Sequence, residues 1–119
     1  MEIMVDLLGG RVWLEGWEDF GGLALSARTE RPGEVDDRAL EALSATLEDS
    51  GAGWMEAEGY ALVTPDALRS LAEVAADEDG LTLGPDWEDG FTSMLEFAAD
   101  SGWVNNDGAV RAHVEWRDA

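Results

Sequence analysis

The stretch that decides the fold runs from Trp87 to Trp116 and reads WEDGFTSMLEFAADSGWVNNDGAVRAHVEW. Its first half places apolar residues at i, i+4 and i+7 on one face of a helix: Phe91, Leu95 and Ala98. Gly102 follows at the position where a residue in the left-handed conformation commonly ends a helix. The pattern therefore predicts a helix over residues 87–101.

The second half of this stretch alternates as a half-buried strand should. From Ala109 to Trp116 the apolar side chains take one face, and Arg111, His113 and Glu115 take the other. Residues 103–104 lead into the turn Asn-Asn-Asp-Gly at 105–108, whose residue types tolerate positive φ. A helix followed at once by a β-hairpin is the predicted arrangement.

The remainder of the chain predicts further elements of both kinds. Three alternating segments between residues 2 and 28 predict an N-terminal β meander, and Pro32-Gly33 marks the connection that follows. A helix is expected over residues 36–49, and a hairpin over 54–63 with its turn at 56–59. Thr64 caps a helix that runs to about Ala76. The predicted fold is a single α+β domain, residues 1–119, with three helices packed on an antiparallel sheet made of the meander and two helix-plus-hairpin units.

Two segments of the chain resemble each other. Ser50-Gly51 precedes a strand led by Trp54, and Ser101-Gly102 precedes one led by Trp103. Duplication of a helix-plus-hairpin unit explains the likeness, and so does the same local chemistry used twice.

Composition narrows the class of protein. The 119 residues include no cysteine, which excludes disulfides, thiolate metal sites and a cysteine nucleophile. No apolar run reaches the roughly 18 residues that a membrane-spanning helix needs, and the start at Met1-Glu2 lacks the pattern of a secretory signal. We expect a cytoplasmic protein without membrane contact.

Charge is the most unusual property of the sequence. Aspartate and glutamate total 27 against seven arginines and no lysine, which gives a net charge of −20. Nucleic acid and anionic membrane surfaces carry the same sign, so direct nucleic-acid binding is not expected. Solubility together with biased codon usage, adaptation to a salt-rich cytoplasm, and attraction of a basic partner remain as explanations.

The residues that could support catalysis are few. His113 is the sole histidine and lies two residues from Glu115, but no serine or cysteine motif is present for it to activate. Without lysine there is no Walker lysine and no Schiff-base nucleophile. The sequence favours a non-enzymatic role, and we assign no catalytic residue.

Metal and cofactor motifs are incomplete. Asp77 to Gly80 matches half of a calcium loop, but the first ligand position falls on Ala75, which has no side-chain oxygen. The glycine pairs at 9–10 and 21–22 lack a phosphate-binding context. We therefore assign no metal ligand and no cofactor.

A glycine-flanked loop over residues 16–22 carries both aromatic and acidic side chains. It either presents these aromatics to a partner or folds its tryptophans back onto the core. The candidate binding residues are Trp13, Trp17, Glu18, Asp19, Phe20, His113 and Glu115.

The expected function is a non-catalytic acidic module for protein–protein interaction. An inhibitor, immunity or antitoxin-like protein for a basic or aromatic-accepting partner fits this description. Six tryptophans exceed what a small core needs, so some are expected to line an interface or a pocket. A small-molecule-binding protein or small enzyme with a pocket of tryptophans and carboxylates is the alternative, and a homo-oligomer is a further one.

Overall fold

The computed structural model describes residues 1–30, 33–57 and 59–118 and has an α+β fold, as predicted. The predicted connection at Pro32 and part of the predicted turn, Glu58, lie outside the described residues. The strands are β1 (Glu2–Asp6), β2 (Arg11–Glu15), β3 (Ala24–Thr29), β4 (Gly53–Ala57), β5 (Tyr60–Val63) and β6 (Val110–Asp118). The helices are α1 (Asp37–Ser50), α2 (Pro65–Glu78) and α3 (Pro85–Asp100).

The six strands form one sheet in the order β2-β1-β3-β6-β5-β4. The prediction of an antiparallel sheet is wrong, because β1–β3 and β3–β6 pair in parallel while the other neighbours are antiparallel. The segment 16–23 is the physical reason. It carries the chain past the start of β1, where the Ala24 N–H donates to the Met1 carbonyl, so β3 enters beside β1 in the same direction. The first three strands are therefore not a meander.

The second predicted hairpin also differs from the structure. Residues 103–104 form no strand. They are joined to the start of β6 by one isolated antiparallel bridge, between Val104 and Val110. Asn105 holds the turn instead, because its side-chain oxygen accepts the N–H groups of Asp107 and Ala109 at 3.0 and 2.8 Å. This leaves β6 free to pair with β5 along one part and β3 along another.

All three helices end in the same way. Gly51, Gly80 and Gly102 adopt positive φ of 77°, 74° and 81°. In each case the N–H of the next residue reaches back to a carbonyl of the last turn, as between Trp103 and Ala98 at 2.8 Å. This is the Schellman motif. Because α2 also ends in this way, the glycine at the end of each Ser-Gly segment reflects a helix-ending motif that all three helices share.

The helices share one hydrophobic core with one face of the sheet. Its largest fully buried side chains from the helices are Phe91, Leu43, Leu47 and Leu68, and those from the sheet include Ile3, Leu25, Val5 and Val63. The opposite face, which we call the open face, is formed by the even-numbered residues of β1, β3, β4 and β5 and the odd-numbered residues of β2 and β6. None of the open-face residues belongs to the core shared with the helices. In the described ranges no helix is long and apolar enough to cross a membrane.

Candidate functional site

One aromatic side chain of helix α3 lies outside the helix face that packs into the core. Its buried residues are Trp87, Phe91, Met94 and Ala98, which follow helical spacing. Phe97 lies outside that stripe and leaves 63% of its surface exposed. A phenylalanine gains little stability in such a position, so Phe97 is a candidate for contact with another molecule.

The backbone holds Trp103 beside Phe97. Its N–H donates to the Ala98 carbonyl through the helix-ending motif, and its own carbonyl accepts the Arg111 N–H at 2.7 Å. The indole packs edge-on against the Phe97 ring, with centroids 5.7 Å apart, and stays 45% exposed. The pair is thus both exposed and fixed in position.

A groove of about 440 Å³ opens beneath this pair. We call it the aromatic groove; its walls include Phe20, Leu23, Met94, Phe97, Trp103 and Arg111. A smaller hollow of about 220 Å³ continues from it towards the open face, sharing Leu23, Trp103 and Arg111 and adding Tyr60 and His113. An apolar side chain or a small apolar molecule fits this shape and lining.

Arg111 is the basic residue of the aromatic groove. Its guanidinium lies 3.5 Å from a Glu56 oxygen and 4.9 Å from the centre of the Tyr60 ring. The contact with a single carboxylate leaves guanidinium donors available to a ligand. The side chain is therefore able to orient a carbonyl or carboxylate group in the groove.

The surface around Phe97 and Trp103 is acidic. Asp100 lies three residues after Phe97 on the same side of α3, Glu96 precedes it, and Asp107 lies in the turn that follows Trp103. All three are exposed. An apolar anchor with carboxylates around it suits a partner that combines an apolar side chain with basic neighbours.

Two of the sequence-predicted binding residues lie at this site. Phe20 lines the aromatic groove and packs edge-on against Trp87 at 5.9 Å. His113 lines the smaller hollow, where its ring meets Tyr60 edge-on at 5.7 Å. Phe20 and His113, which are 93 positions apart in the chain, thus line two adjoining cavities that share Leu23, Trp103 and Arg111.

The structure places Trp17 in the core. It is buried, its indole N–H donates to Asp79 at 2.9 Å, and its carbonyl accepts the Trp87 indole N–H at 2.7 Å. Glu18 is exposed beside it. Asp19 accepts the Gly21 N–H at 2.9 Å and so stabilises the loop. This segment is held by internal hydrogen bonds.

Trp13 and Glu115 lie apart from the groove on the open face, Trp13 on the edge strand β2 and Glu115 on β6. Arg11 stacks over the Trp13 ring at 4.8 Å. Glu115 forms an ion pair with Arg117. The predicted binding residues therefore fall into three places: the groove, the core-bound loop and the open face.

His113 lies among aromatic and basic side chains in the smaller hollow. His113 is exposed, and within the described chain its contact is the Tyr60 ring, with no hydrogen bond to a carboxylate. No described carboxylate lines the hollow.

Metal binding has no assembled site among residues 1–30, 33–57 and 59–118. No group of three or more histidine, aspartate or glutamate side chains converges there. In the acidic segment 77–80, Asp79 serves as the acceptor for the Trp17 indole.

Sequence reasoning missed Phe97, and a signal for it was present. An aromatic residue outside the stripe of Phe91, Met94, Leu95 and Ala98 is misplaced for a core. No pattern in the sequence indicated that Leu23 lines the groove, because segment 16–23 lies beside α3 only in the tertiary fold.

Comparison with known proteins gives no relative: no protein-family model, no curated protein and no solved structure matches this chain.

Proposed function

We propose that the protein is a non-catalytic interaction module that binds a basic protein segment. In this proposal the aromatic groove receives an apolar side chain of the partner, and the surrounding carboxylates receive its basic side chains. The observation that carries the proposal is the exposed Phe97–Trp103 pair, fixed over an apolar groove on an acidic helix.

Rigid exposed aromatic residues are effective anchors. Interface energy concentrates in a few tryptophan, tyrosine and arginine residues at the centre of a contact. Trp103 is held at its N–H and its carbonyl, so little conformational freedom is lost on binding. Arg111 and Tyr60 continue the same surface.

The helical layer supplies the long-range attraction. Its basic residues are Arg38 and Arg69, against carboxylates distributed over all three helices. Arg69 donates to both oxygens of Glu88 at 3.2 Å, and this hydrogen-bonded carboxylate raises the pKa of the Arg69 guanidinium. The field of this layer is therefore negative and steers basic partners towards it.

An inhibitor, immunity or antitoxin-like protein is the class that these properties favour. Such a protein acts by covering a basic surface of its target, which requires complementary charge and an apolar anchor but no catalytic group.

A small-molecule-binding protein is the second candidate. The groove volume of about 440 Å³ and the guanidinium of Arg111 suit an aromatic or aliphatic carboxylate. The net charge of −20 opposes the approach of such an anion, which places this candidate behind the basic partner.

Three synthetic peptides of equal length test the proposal. The first carries one leucine among lysines, the second one leucine among glutamates, and the third replaces the leucine of the first by serine. We expect the full chain to bind the first peptide best, because only that peptide satisfies both the groove and the acidic surface. Isothermal titration at several salt concentrations measures the affinities.

Two protein variants complete the design. Phe97→Ser with Trp103→Ser removes the anchor and is expected to weaken binding of the first peptide by about 10- to 100-fold. Val74→Ser is the matched control, because Val74 is 57% exposed on α2 and away from the groove. Equal binding of the lysine and glutamate peptides, or an equal loss in the control variant, contradicts the proposal.

A further inference from the structure

The aromatic groove and the smaller hollow contrast in charge with the surface around them. Among the described residues no aspartate or glutamate lines either cavity, although the sequence holds 27 carboxylates. Arg111 lines both cavities, and His113 lines the hollow. The nearby side chains of Glu96, Asp100 and Asp107 are exposed. The site therefore has a locally basic interior within an acidic surface.

The guanidinium of Arg111 has donors that the chain does not use. Its ion pair is with Glu56, whose Oε2 lies 3.5 Å from Arg111 Nε. The guanidinium also lies 4.9 Å from the centre of the Tyr60 ring, so it is held on two sides. Its Nη groups have no hydrogen-bond partner among the described residues. These two groups are therefore available to the two oxygens of a carboxylate, in the fork geometry that suits arginine.

His113 extends the basic interior along the same strand. Arg111 and His113 are two residues apart on β6, so their side chains lie on one face, about 7 Å apart along the strand. The His113 ring meets Tyr60 edge-on at 5.7 Å and forms no hydrogen bond within the described part of the chain. At this spacing a carboxylate bound by Arg111 can also accept an imidazole N–H.

We propose that the basic partner presents its C-terminal residue to this site. The last side chain, which is apolar, enters the aromatic groove, and the terminal carboxylate binds Arg111 beside the hollow. This inference rests on the proposed function and specifies which part of the basic segment is bound. Capture of a C-terminal carboxylate is one of the recurring modes of peptide recognition.

The arrangement of the two cavities matches a C-terminal residue. In such a residue the carboxylate and the side chain are attached to the same Cα. The groove and the hollow likewise adjoin and share Leu23, Trp103 and Arg111. A side chain in the groove therefore has its own carboxylate next to the guanidinium that both cavities share.

Charge complementarity selects the end of a basic segment over a free acid. A small carboxylate is repelled by the net charge of −20 before it reaches Arg111. A segment with several lysines or arginines before its last residue is attracted by the same field, and its single carboxylate is placed at the guanidinium. An internal residue of that segment brings the apolar side chain without the carboxylate, so the guanidinium donors gain no partner.

Amidation of a peptide tests this proposal. Two peptides of equal length consist of lysines followed by a last leucine; one ends in a free carboxylate and the other in a carboxamide. The amide has one more unit of positive net charge, so general attraction to an acidic chain favours the amide. We expect the reverse in isothermal titration with the full chain at about 0.15 M salt. The free acid should bind at least about fivefold more tightly, because its carboxylate forms charge-assisted hydrogen bonds with Arg111.

Arg111→Gln assigns this preference to one side chain. In this variant the free acid is expected to bind no more tightly than the amide, while the affinity for the amide does not fall. Retained binding of the amide also shows that the variant is folded. Arg38→Gln is the matched control, because it makes the same charge change on exposed α1 away from both cavities. The control should keep the full preference for the free acid.

The possible outcomes separate this inference from the proposed function. Equal binding of the two peptides, or tighter binding of the amide, overturns the C-terminal inference and leaves the basic segment as the partner. A preference for the free acid that persists in Arg111→Gln also overturns it. If neither peptide binds, the proposed function fails as well.

N-acetyl-leucine is the probe for a free small acid. It carries the same side chain and carboxylate as the last residue of the peptide but no lysines. We expect it to bind at least about 100-fold more weakly than the free-acid peptide, because it lacks the attraction to the surrounding carboxylates. Equal affinity would identify a small molecule as the occupant and overturn the proposal.

Discussion

Two tryptophans that each follow a glycine have opposite environments. Trp17 follows Gly16 and is buried, because its indole and its carbonyl both find hydrogen-bond partners, at Asp79 and Trp87. Trp103 follows Gly102 and is half exposed, because only its backbone is bonded. The difference lies in the tertiary partners of the side chain, which the local sequence does not specify.

Gly53 is the residue at which a single added methyl group has the largest expected effect. A Cβ built there lies 1.9 Å from the Leu62 carbonyl oxygen, so the pairing of β4 with β5 cannot accommodate one. Gly53→Ala is expected to lower the free energy of unfolding by about 3 kcal/mol. Urea denaturation measures the change.

The control for this prediction is Gly22→Ala. A Cβ at Gly22 meets nothing within 4 Å and its φ is not positive, so stability should change by less than about 0.5 kcal/mol. Equal stabilities of the two variants would show that the close approach at Gly53 is tolerated.

At the scale of elements, the sequence patterns predicted well where helices and strands form. The apolar spacing of Phe91, Leu95 and Ala98 and the glycine stop at Gly102 correspond to α3, and the alternation from Ala109 onwards corresponds to β6. These signals depend on neighbours within a few positions, so a single sequence contains them.

Strand pairing was not predictable in the same way. Alternation in β3 is identical whether β3 runs parallel or antiparallel to β1, and the path of segment 16–23 decides between them. Trp103 and Val104 are residue types that favour strands. However, the hydrogen bonds that the Asn105 side chain accepts from the turn compete with a regular hairpin.

The candidate site was predictable only in part. Phe20 and His113 reach it, but Leu23, Met94 and Arg111 complete it through contacts between distant elements. The sequence indicated that some tryptophans would line an interface without identifying which of the six.

The N-terminus of α2 offers a direct test at this scale. The Thr64 hydroxyl accepts the Ala67 N–H at 3.2 Å, and Pro65 follows it. Thr64→Ala is expected to lower the free energy of unfolding by about 1 kcal/mol, because that N–H loses its side-chain acceptor. Thr64→Ser keeps the hydroxyl and should lose much less; equal losses in thermal unfolding would argue against a capping role.

At the scale of the whole molecule, the excess of negative charge produces self-repulsion. Carboxylates cover the helical layer, and a net charge of −20 on 119 residues opposes the compact state.

Stability should consequently rise with salt. Between about 0.01 M and 1 M KCl the Debye length falls from about 30 to 3 Å, which screens the repulsion. We expect the unfolding temperature to increase by about 5 °C or more. The variant Glu41→Lys with Glu48→Lys, both exposed on α1, should show a shallower dependence; an unchanged or falling unfolding temperature would mean that repulsion contributes little.

The most direct test of the proposed function uses the six tryptophan indole N–H resonances as reporters. In an NMR titration at fixed protein concentration with the leucine–lysine peptide, the Trp103 indole resonance should move. Those of Trp17 and Trp87, which are hydrogen-bonded inside the fold, and of Trp13 on the open face should not. Binding that leaves the Trp103 resonance in place, or that moves Trp13 instead, would contradict the assignment of the aromatic groove as the docking site.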